Sequence, residues 1–178
     1  MRSLLSPKLM VSSVLDITPQ LLDRYGIRGL ILDADNTLVP RKQYVLEAAI
    51  IDWIGVLQLS GRKLCILSNS RHVRRIAAMM EPFGIPTFSL ARKPMRPGFR
   101  RAMKAIGTTV EETAMIGDQL LTDIVGGNRV GILTIMVAPL SGNDFVLYRF
   151  MRPLERRLLQ RYQPLSEAVE QAAGEEDD

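Results

Sequence analysis

A set of carboxylates, hydroxyls and an amide, together with one lysine, could do chemistry jointly if the fold gathered them. The set comprises Asp33, Asp35, Thr37, Ser68, Asn69, Lys93, Asp118 and Asp123. Carboxylates that meet in one crevice repel each other, so they need a cation among them. Oxygen ligands without Cys or His suit Mg²⁺ rather than zinc. The residue types therefore indicate a magnesium site.

Short apolar runs precede most members of this set. We predict strands in RGLILDA, KLCILSNS, IPTFSL, TAMIGD and VGILTIM. Helical patterns separate them at residues 44–60, 72–84, 97–107 and 119–128. Nearly continuous apolar strands between helices are typical of a parallel sheet covered on both faces. The predicted fold class is therefore α/β: a three-layer, Rossmann-like, doubly wound parallel sheet. Before the first strand, Thr18 is predicted to cap a short helix that Pro19 begins and Gly26 stops.

The candidate residues follow the predicted strands at their carboxyl ends, where ligands bind in doubly wound sheets. Alone, each has a simpler explanation: a turn residue, a helix cap or a solvated side chain. Their common position at successive strand ends favours a single site.

Four sequence motifs resemble those of the haloacid dehalogenase-like superfamily. DADNT resembles its DxDxT signature and IGDQLLTD its GDxxxxD motif, and both are specific. ILSNS and RKP resemble the second and third motifs, which are weak signals alone. The resemblance spans about residues 28 to 137 and implies a fold of that superfamily.

The resemblance implies a phosphoryl-transfer mechanism. Asp33 is the expected nucleophile, and Asp35 the expected general acid and base. The expected Mg²⁺ ligands are the Asp33 and Asp118 side chains and the Asp35 carbonyl. The phosphate-binding residues are expected to be Asn36, Thr37, Ser68, Asn69 and Lys93. Asp123 is expected to orient Lys93 or the water around the metal.

The spacing of the motifs leaves no room for a cap domain. Only one helical pattern fits between Thr37 and Ser68, and only one helix and a short strand fit between Asn69 and Lys93. An open site suits a large substrate, such as a macromolecule or a headgroup at a membrane surface. Alternatively, an oligomer partner could cover the site.

The charge is uneven along the chain, whose net charge is +4. Residues 92–101 hold five Arg or Lys and no acid, and residues 149–162 hold five Arg and one Glu. We predict a phosphatase domain at 1–143, a basic amphipathic segment at 144–173 and a disordered acidic tail at 174–178. The basic segment either contacts a membrane surface or packs on the domain.

A narrower resemblance is to one branch of the capless subclass IIIA phosphatases, the phosphatidylglycerophosphate phosphatases of mitochondria and plastids with their bacterial relatives. It is carried by ITPQLLDRYGIRGLILDADNTLV, ARKPMRPGFRRAM, IGDQLLTDIVGGNRVGILTIMVAPL and an Arg-Pro-Leu-Glu-Arg stretch. It implies a phospholipid headgroup as substrate. Two alternatives stay open: a soluble phosphomonoester or phosphoprotein as substrate, or a binding or assembly factor without catalysis.

Location and partners follow from composition. No apolar run approaches the ~18 residues of a membrane span, and no clean leader pattern precedes the first strand. We expect a cytoplasmic protein, peripheral at most on an inner membrane face or the matrix side of an organelle. Basic segments without interleaved aromatics make nucleic acid an unexpected partner. The single Cys65 is expected to be a buried small hydrophobe.

Overall fold

The computed structural model describes residues 4–41 and 43–141 of the 178-residue chain. The predicted basic segment at 144–173 and the tail at 174–178 lie outside the described residues, so both stay predictions.

Six parallel strands form one sheet. They are β1 (Leu9–Val11), β2 (Gly29–Leu32), β3 (Lys63–Leu67), β4 (Thr87–Phe88), β5 (Thr113–Gly117) and β6 (Leu133–Val137), in the order β1-β6-β5-β2-β3-β4. Ile31 of the central β2 lies opposite Cys65 of β3 on one side and Met115 of β5 on the other. The chain winds outward from β2 in both directions, so the predicted doubly wound parallel sheet is confirmed, with its switch point between β2 and β5.

Within the described ranges, five α-helices cover the sheet: α1 (Pro19–Arg24), α2 (Ala48–Leu59), α3 (Val73–Met80), α4 (Arg96–Ile106) and α5 (Val125–Val130). Leu30 and Leu32 of β2 pack into a core with α2 and α3. Ile31 points the other way, into a second core with α4. Alternate residues of one strand thus enter opposite cores, which explains why the whole strand is apolar. The three layers match the prediction.

The predicted short helix is present with its expected ends. The Thr18 hydroxyl accepts a hydrogen bond from the Leu21 amide at 3.2 Å, and Pro19 is the first helical residue. Gly26 has a φ of +65°, the left-handed conformation in which the helix stops.

Several element boundaries differ from the prediction. Strand β1 was not predicted, because three residues after Pro7 carry too little periodicity to be recognised. Helix α2 begins at Ala48 rather than residue 44, since Glu47 is in extended conformation. The predicted helix at 72–84 ends at Met80 and continues as a 3₁₀ turn, Glu81–Phe83. The predicted helix at 119–128 consists of a π-helical turn, Leu120–Ile124, followed by α5.

No cap domain is present in the described part of the chain. Between Thr37 and Ser68 the regular elements are α2 and β3, and between Asn69 and Lys93 they are α3, one 3₁₀ turn and β4. Among the described residues, no helix combines the length and the apolar character needed to cross a membrane.

Candidate active site

Asp33 and Asp35, the aspartate pair, follow strand β2 at the carboxyl edge of the sheet. The Asp33 amide donates to the Ile116 carbonyl at 2.9 Å, so the strand ladder extends into the site. The chain then turns at Asn36, whose φ is +66°. Asn tolerates this left-handed conformation better than most residues. The turn closes through the Leu38 amide, which donates to the Ala34 carbonyl at 3.0 Å.

Lys93 lies buried between two carboxylates. Its Nζ is 2.5 Å from Asp33 Oδ1 and 2.7 Å from Asp123 Oδ1, and the residue is 5% exposed. Asn69 fixes the lysine's backbone: Asn69 Oδ1 accepts from the Lys93 amide at 2.8 Å, and Asn69 Nδ2 donates to the Lys93 carbonyl at 3.0 Å. In this geometry Asn69 positions Lys93, which is a different role from the direct phosphate contact expected of it.

Three buried carboxylates meet beside the lysine. Oxygens of Asp33, Asp118 and Asp123 all lie within 4.8 Å of one another. Asp33 Oδ2 is buried and has no hydrogen-bond partner among the described residues. Asp118 Oδ1 accepts from the Thr37 hydroxyl at 3.2 Å, and Asp123 Oδ2 accepts from the Gln119 amide at 3.1 Å.

Burial and neighbouring charges shift the pKa values of three groups in the site. Burial raises the pKa of Asp33 to about 7, an effect that Lys93 partly offsets and Asp123 reinforces. Burial, together with the charges of Asp33 and Asp123, raises the pKa of Asp118 to about 8. Burial alone would lower the pKa of Lys93, but the charges of Asp123 and Asp33 outweigh it and raise that pKa. One ammonium for three carboxylates leaves a place that a divalent cation fits, and the unpartnered Asp33 oxygen supports that fit.

Comparison with known proteins identifies the family of this chain. A model described as HAD-hydrolase-like matches residues 90–143. A protein named probable phosphatase YqeG, from Bacillus subtilis, is 40% identical over 153 residues, which are 86% of this chain and 88% of that protein. The chain belongs to the haloacid dehalogenase-like phosphatases. Their dependence on a divalent metal agrees with the buried acid cluster.

Two further similar proteins are phosphatases whose names include a substrate. Phosphatidylglycerophosphate phosphatase 1 of Chlamydomonas reinhardtii is 32% identical across 81% of this chain, and that of Arabidopsis thaliana is 29% identical across 90%. This chain covers 57% and 49% of their respective lengths.

Solved structures agree on the fold. An uncharacterized protein from Listeria monocytogenes superimposes with a TM-score of 0.54 at 23% identity, covering 67% of this chain and 85% of that one. A 3-deoxy-D-manno-octulosonate 8-phosphate phosphatase from Yersinia pestis gives a TM-score of 0.50 at 18% identity, covering 67% and 69%.

Three further residues that were expected to bind phosphate are Ser68, Asn36 and Thr37. Buried Ser68 follows β3, and its hydroxyl accepts from the Ser70 amide at 3.0 Å, which leaves the hydroxyl proton to donate elsewhere. The Asn36 amide, expected to bind phosphate, donates instead to the Val39 carbonyl at 2.8 Å. In the described part of the chain, the Thr37 amide has no acceptor, so it is free to donate to a ligand.

Arg75 is a site residue that the sequence did not reveal. Its Nη2 pairs with Asp35 Oδ1, its Nη1 donates to the Gln43 carbonyl at 2.5 Å, and its guanidinium lies 5.8 Å from the Tyr44 ring centre. Its side chain is only 5% exposed. A signal was available: Arg75 and the apolar Met79 are four residues apart on a helix and share its buried face.

Proposed function

We propose that this protein is a Mg²⁺-dependent phosphomonoesterase that works through an aspartyl-phosphate intermediate. The observation that carries the proposal is the buried Asp33 carboxylate, with one oxygen on Lys93 and the other unpartnered beside two more carboxylates. That arrangement supplies a nucleophile, an ammonium for the phosphoryl oxygens and ligands for a cation at one point.

In the first step, an Asp33 oxygen forms a bond to phosphorus as the bond to the leaving alkoxide breaks. Asp35 gives its proton to that alkoxide. In the second step, water attacks phosphorus, Asp35 takes the water's proton, and the Asp33 carboxylate is regenerated as inorganic phosphate leaves. Lys93, the Ser68 hydroxyl and the Thr37 amide stabilise the charge on the phosphoryl oxygens.

The Asp33 and Asp118 side chains and the Asp35 carbonyl would hold Mg²⁺. The metal would offset the repulsion between the Asp33 carboxylate and the substrate's negative charge. Asp123 keeps Lys93 pointing at Asp33, because the lysine bridges the two carboxylates.

The proposed substrate is phosphatidylglycerophosphate, which would be converted to phosphatidylglycerol. The support is the similarity to the algal and plant phosphatases with that name. A site without a cap in the described part of the chain is also accessible to a headgroup that stays in its membrane. Such a substrate would require peripheral contact with a membrane surface, which sedimentation with anionic vesicles at low and high salt would detect.

A soluble phosphomonoester is the second candidate. A glyceraldehyde 3-phosphate phosphatase from Pyrococcus abyssi is 30% identical over 83 residues, or 42% of this chain. A role in binding without catalysis is less favoured, because a binding module has little need for both Asp33 and Asp35 beside a buried lysine.

Phosphate release from phosphatidylglycerophosphate in mixed micelles, with Mg²⁺ or with EDTA, tests the proposal. A panel of soluble phosphomonoesters and the Asp33→Asn variant run alongside. We expect turnover of the lipid that EDTA abolishes and that falls at least about a thousandfold in Asp33→Asn. Turnover of soluble esters alone would replace the substrate but keep the mechanism. An active Asp33→Asn protein would reject the mechanism.

A further inference from the structure

A cationic cleft lies next to the reaction centre. It is lined by Tyr44, Arg71, His72, Arg74 and Arg75 and has a volume of about 610 Å³. The set contains three arginines and no acid. Arg71, His72 and Arg74 are exposed, so their side chains are accessible to a ligand.

Arg75 joins this cationic cleft to the aspartate pair. Its side chain lines the cleft and also binds the Asp35 carboxylate. Asp35 is two residues from Asp33, the proposed nucleophile. A substrate with its phosphomonoester at Asp33 would therefore extend past Asp35 into the cleft.

The charge in the cleft is available for an anion. Arg75 is matched by Asp35, but neither Arg71 nor Arg74 forms an ion pair with any described residue. The Arg75 Nε is buried and has no hydrogen-bond acceptor among the described residues. A buried donor without a partner is unfavourable, so an acceptor that reached this nitrogen would be bound more tightly.

We propose that the cationic cleft is a subsite for a second phosphate-class anion carried by the substrate, held mainly by Arg71 and Arg74. Arginine suits this ligand because its planar donors match two phosphate oxygens at once. This inference rests on the proposed function and narrows its substrate to esters with two phosphorus centres. The second centre could be a lipid phosphodiester or a second free phosphate.

Direct binding tests the subsite without relying on turnover. Glycerophosphoglycerol carries the phosphodiester alone, so it would occupy the cleft without a phosphomonoester. Its titration into the full chain is followed by the amide NMR shifts of residues 71–75, in wild type and in Arg71→Gln/Arg74→Gln. Arg24→Gln is the matched control, because Arg24 is an exposed arginine that precedes the amino end of β2.

We expect the double variant to weaken binding at least about tenfold, since charge-assisted hydrogen bonds are lost. The control should bind as wild type does. Equal binding by wild type and the double variant would contradict the proposed subsite. Amide shift changes that occur only at residues outside the cleft would also contradict it.

Turnover then separates the two possible sources of the anion. The kcat/KM values of glycerophosphoglycerol phosphate and glycerol 1,3-bisphosphate are each divided by that of glycerol 3-phosphate. We expect both ratios to exceed one and to fall about tenfold in the double variant, mainly through KM. The larger ratio identifies the diester or the free phosphate as the preferred group, and ratios unchanged by the variant would count against the subsite. Probe binding without any turnover would reject the proposed function and leave the subsite standing.

Discussion

Arg75 illustrates how one side chain can serve two neighbouring functions. It holds Asp35 through an ion pair and closes one wall of the cationic cleft. If Asp35 is the acid and base, then Arg75 determines where its carboxylate points during both proton transfers.

Arg75→Met should lower kcat by about tenfold to a hundredfold, because Asp35 would lose its fixed orientation. A double-mutant cycle with Asp35→Asn separates this role from general destabilisation. In the Asp35→Asn protein, Arg75→Met should have little further effect on kcat. Partial recovery in Arg75→Lys would support the role, whereas fully additive losses would show that Arg75 acts only through stability.

At the scale of elements, the end of β5 must pass very close to the acid cluster. A Cβ on Gly117 would overlap the Asp123 carboxylate. Asp123 in turn holds Lys93 at 2.7 Å, so the absence of a side chain at Gly117 allows the lysine to reach Asp33.

Gly117→Ala should therefore displace Asp123, destabilise the protein by about 1–3 kcal/mol and reduce activity. Thermal unfolding and phosphate release measure the two effects. Gly55→Ala in α2 is a matched control, because nothing lies within 4 Å of its added Cβ. That control should be stabilised by about 0.5–1 kcal/mol through helix propensity, with activity retained. Normal activity in Gly117→Ala would show that Asp123 is not needed to hold the lysine.

The strand ends were predictable from sequence because a parallel sheet brings its carboxyl edges together whatever the details of packing. Asp33, Lys93, Asp118 and Asp123 meet for that reason. Strand β1 was not predictable, since its three residues are recognised only through their pairing with β6. Arg75 was missed although it lies four residues before Met79 on the buried face of α3, because its neighbour Arg74 is exposed and a buried arginine is uncommon. The hydrogen bond from the Asn36 amide to the Val39 carbonyl was not predictable, because a turn's internal hydrogen bonds depend on its actual dihedral angles.

For the molecule as a whole, the acid cluster makes stability depend on pH and metal together. Asp33 and Asp118 have folded pKa values of about 7 and about 8, both above their ordinary value of 3.8. Between the ordinary value of 3.8 and the raised values, the folded protein binds more protons than the unfolded protein does. The stabilisation is therefore fully present below about pH 4 and is lost as the pH rises to about 8.

Without metal, the melting temperature should fall by about 5 °C or more between pH 5 and pH 8 from this effect. Mg²⁺ should stabilise the protein most at pH 8 and least at pH 5, because it competes with protons for the same oxygens. Scanning calorimetry with EDTA and with Mg²⁺ measures both. Asp118→Asn should flatten the metal-free profile, and a stabilisation by Mg²⁺ that does not vary with pH would contradict the assignment of the site.

The chain leaves β6 and returns to the loop that carries the aspartate pair. Leu140 donates its amide to the Asn36 carbonyl at 2.9 Å, and the Ser141 hydroxyl donates to Asn36 Oδ1 at 2.5 Å. The only cysteine of the chain, Cys65, is buried, and burial raises its thiol pKa to about 12, so it resists alkylation. An exposed thiol introduced by Leu140→Cys could therefore be labelled selectively. A fluorophore attached there would report, in real time, any change that a ligand produces in the Asn36 loop.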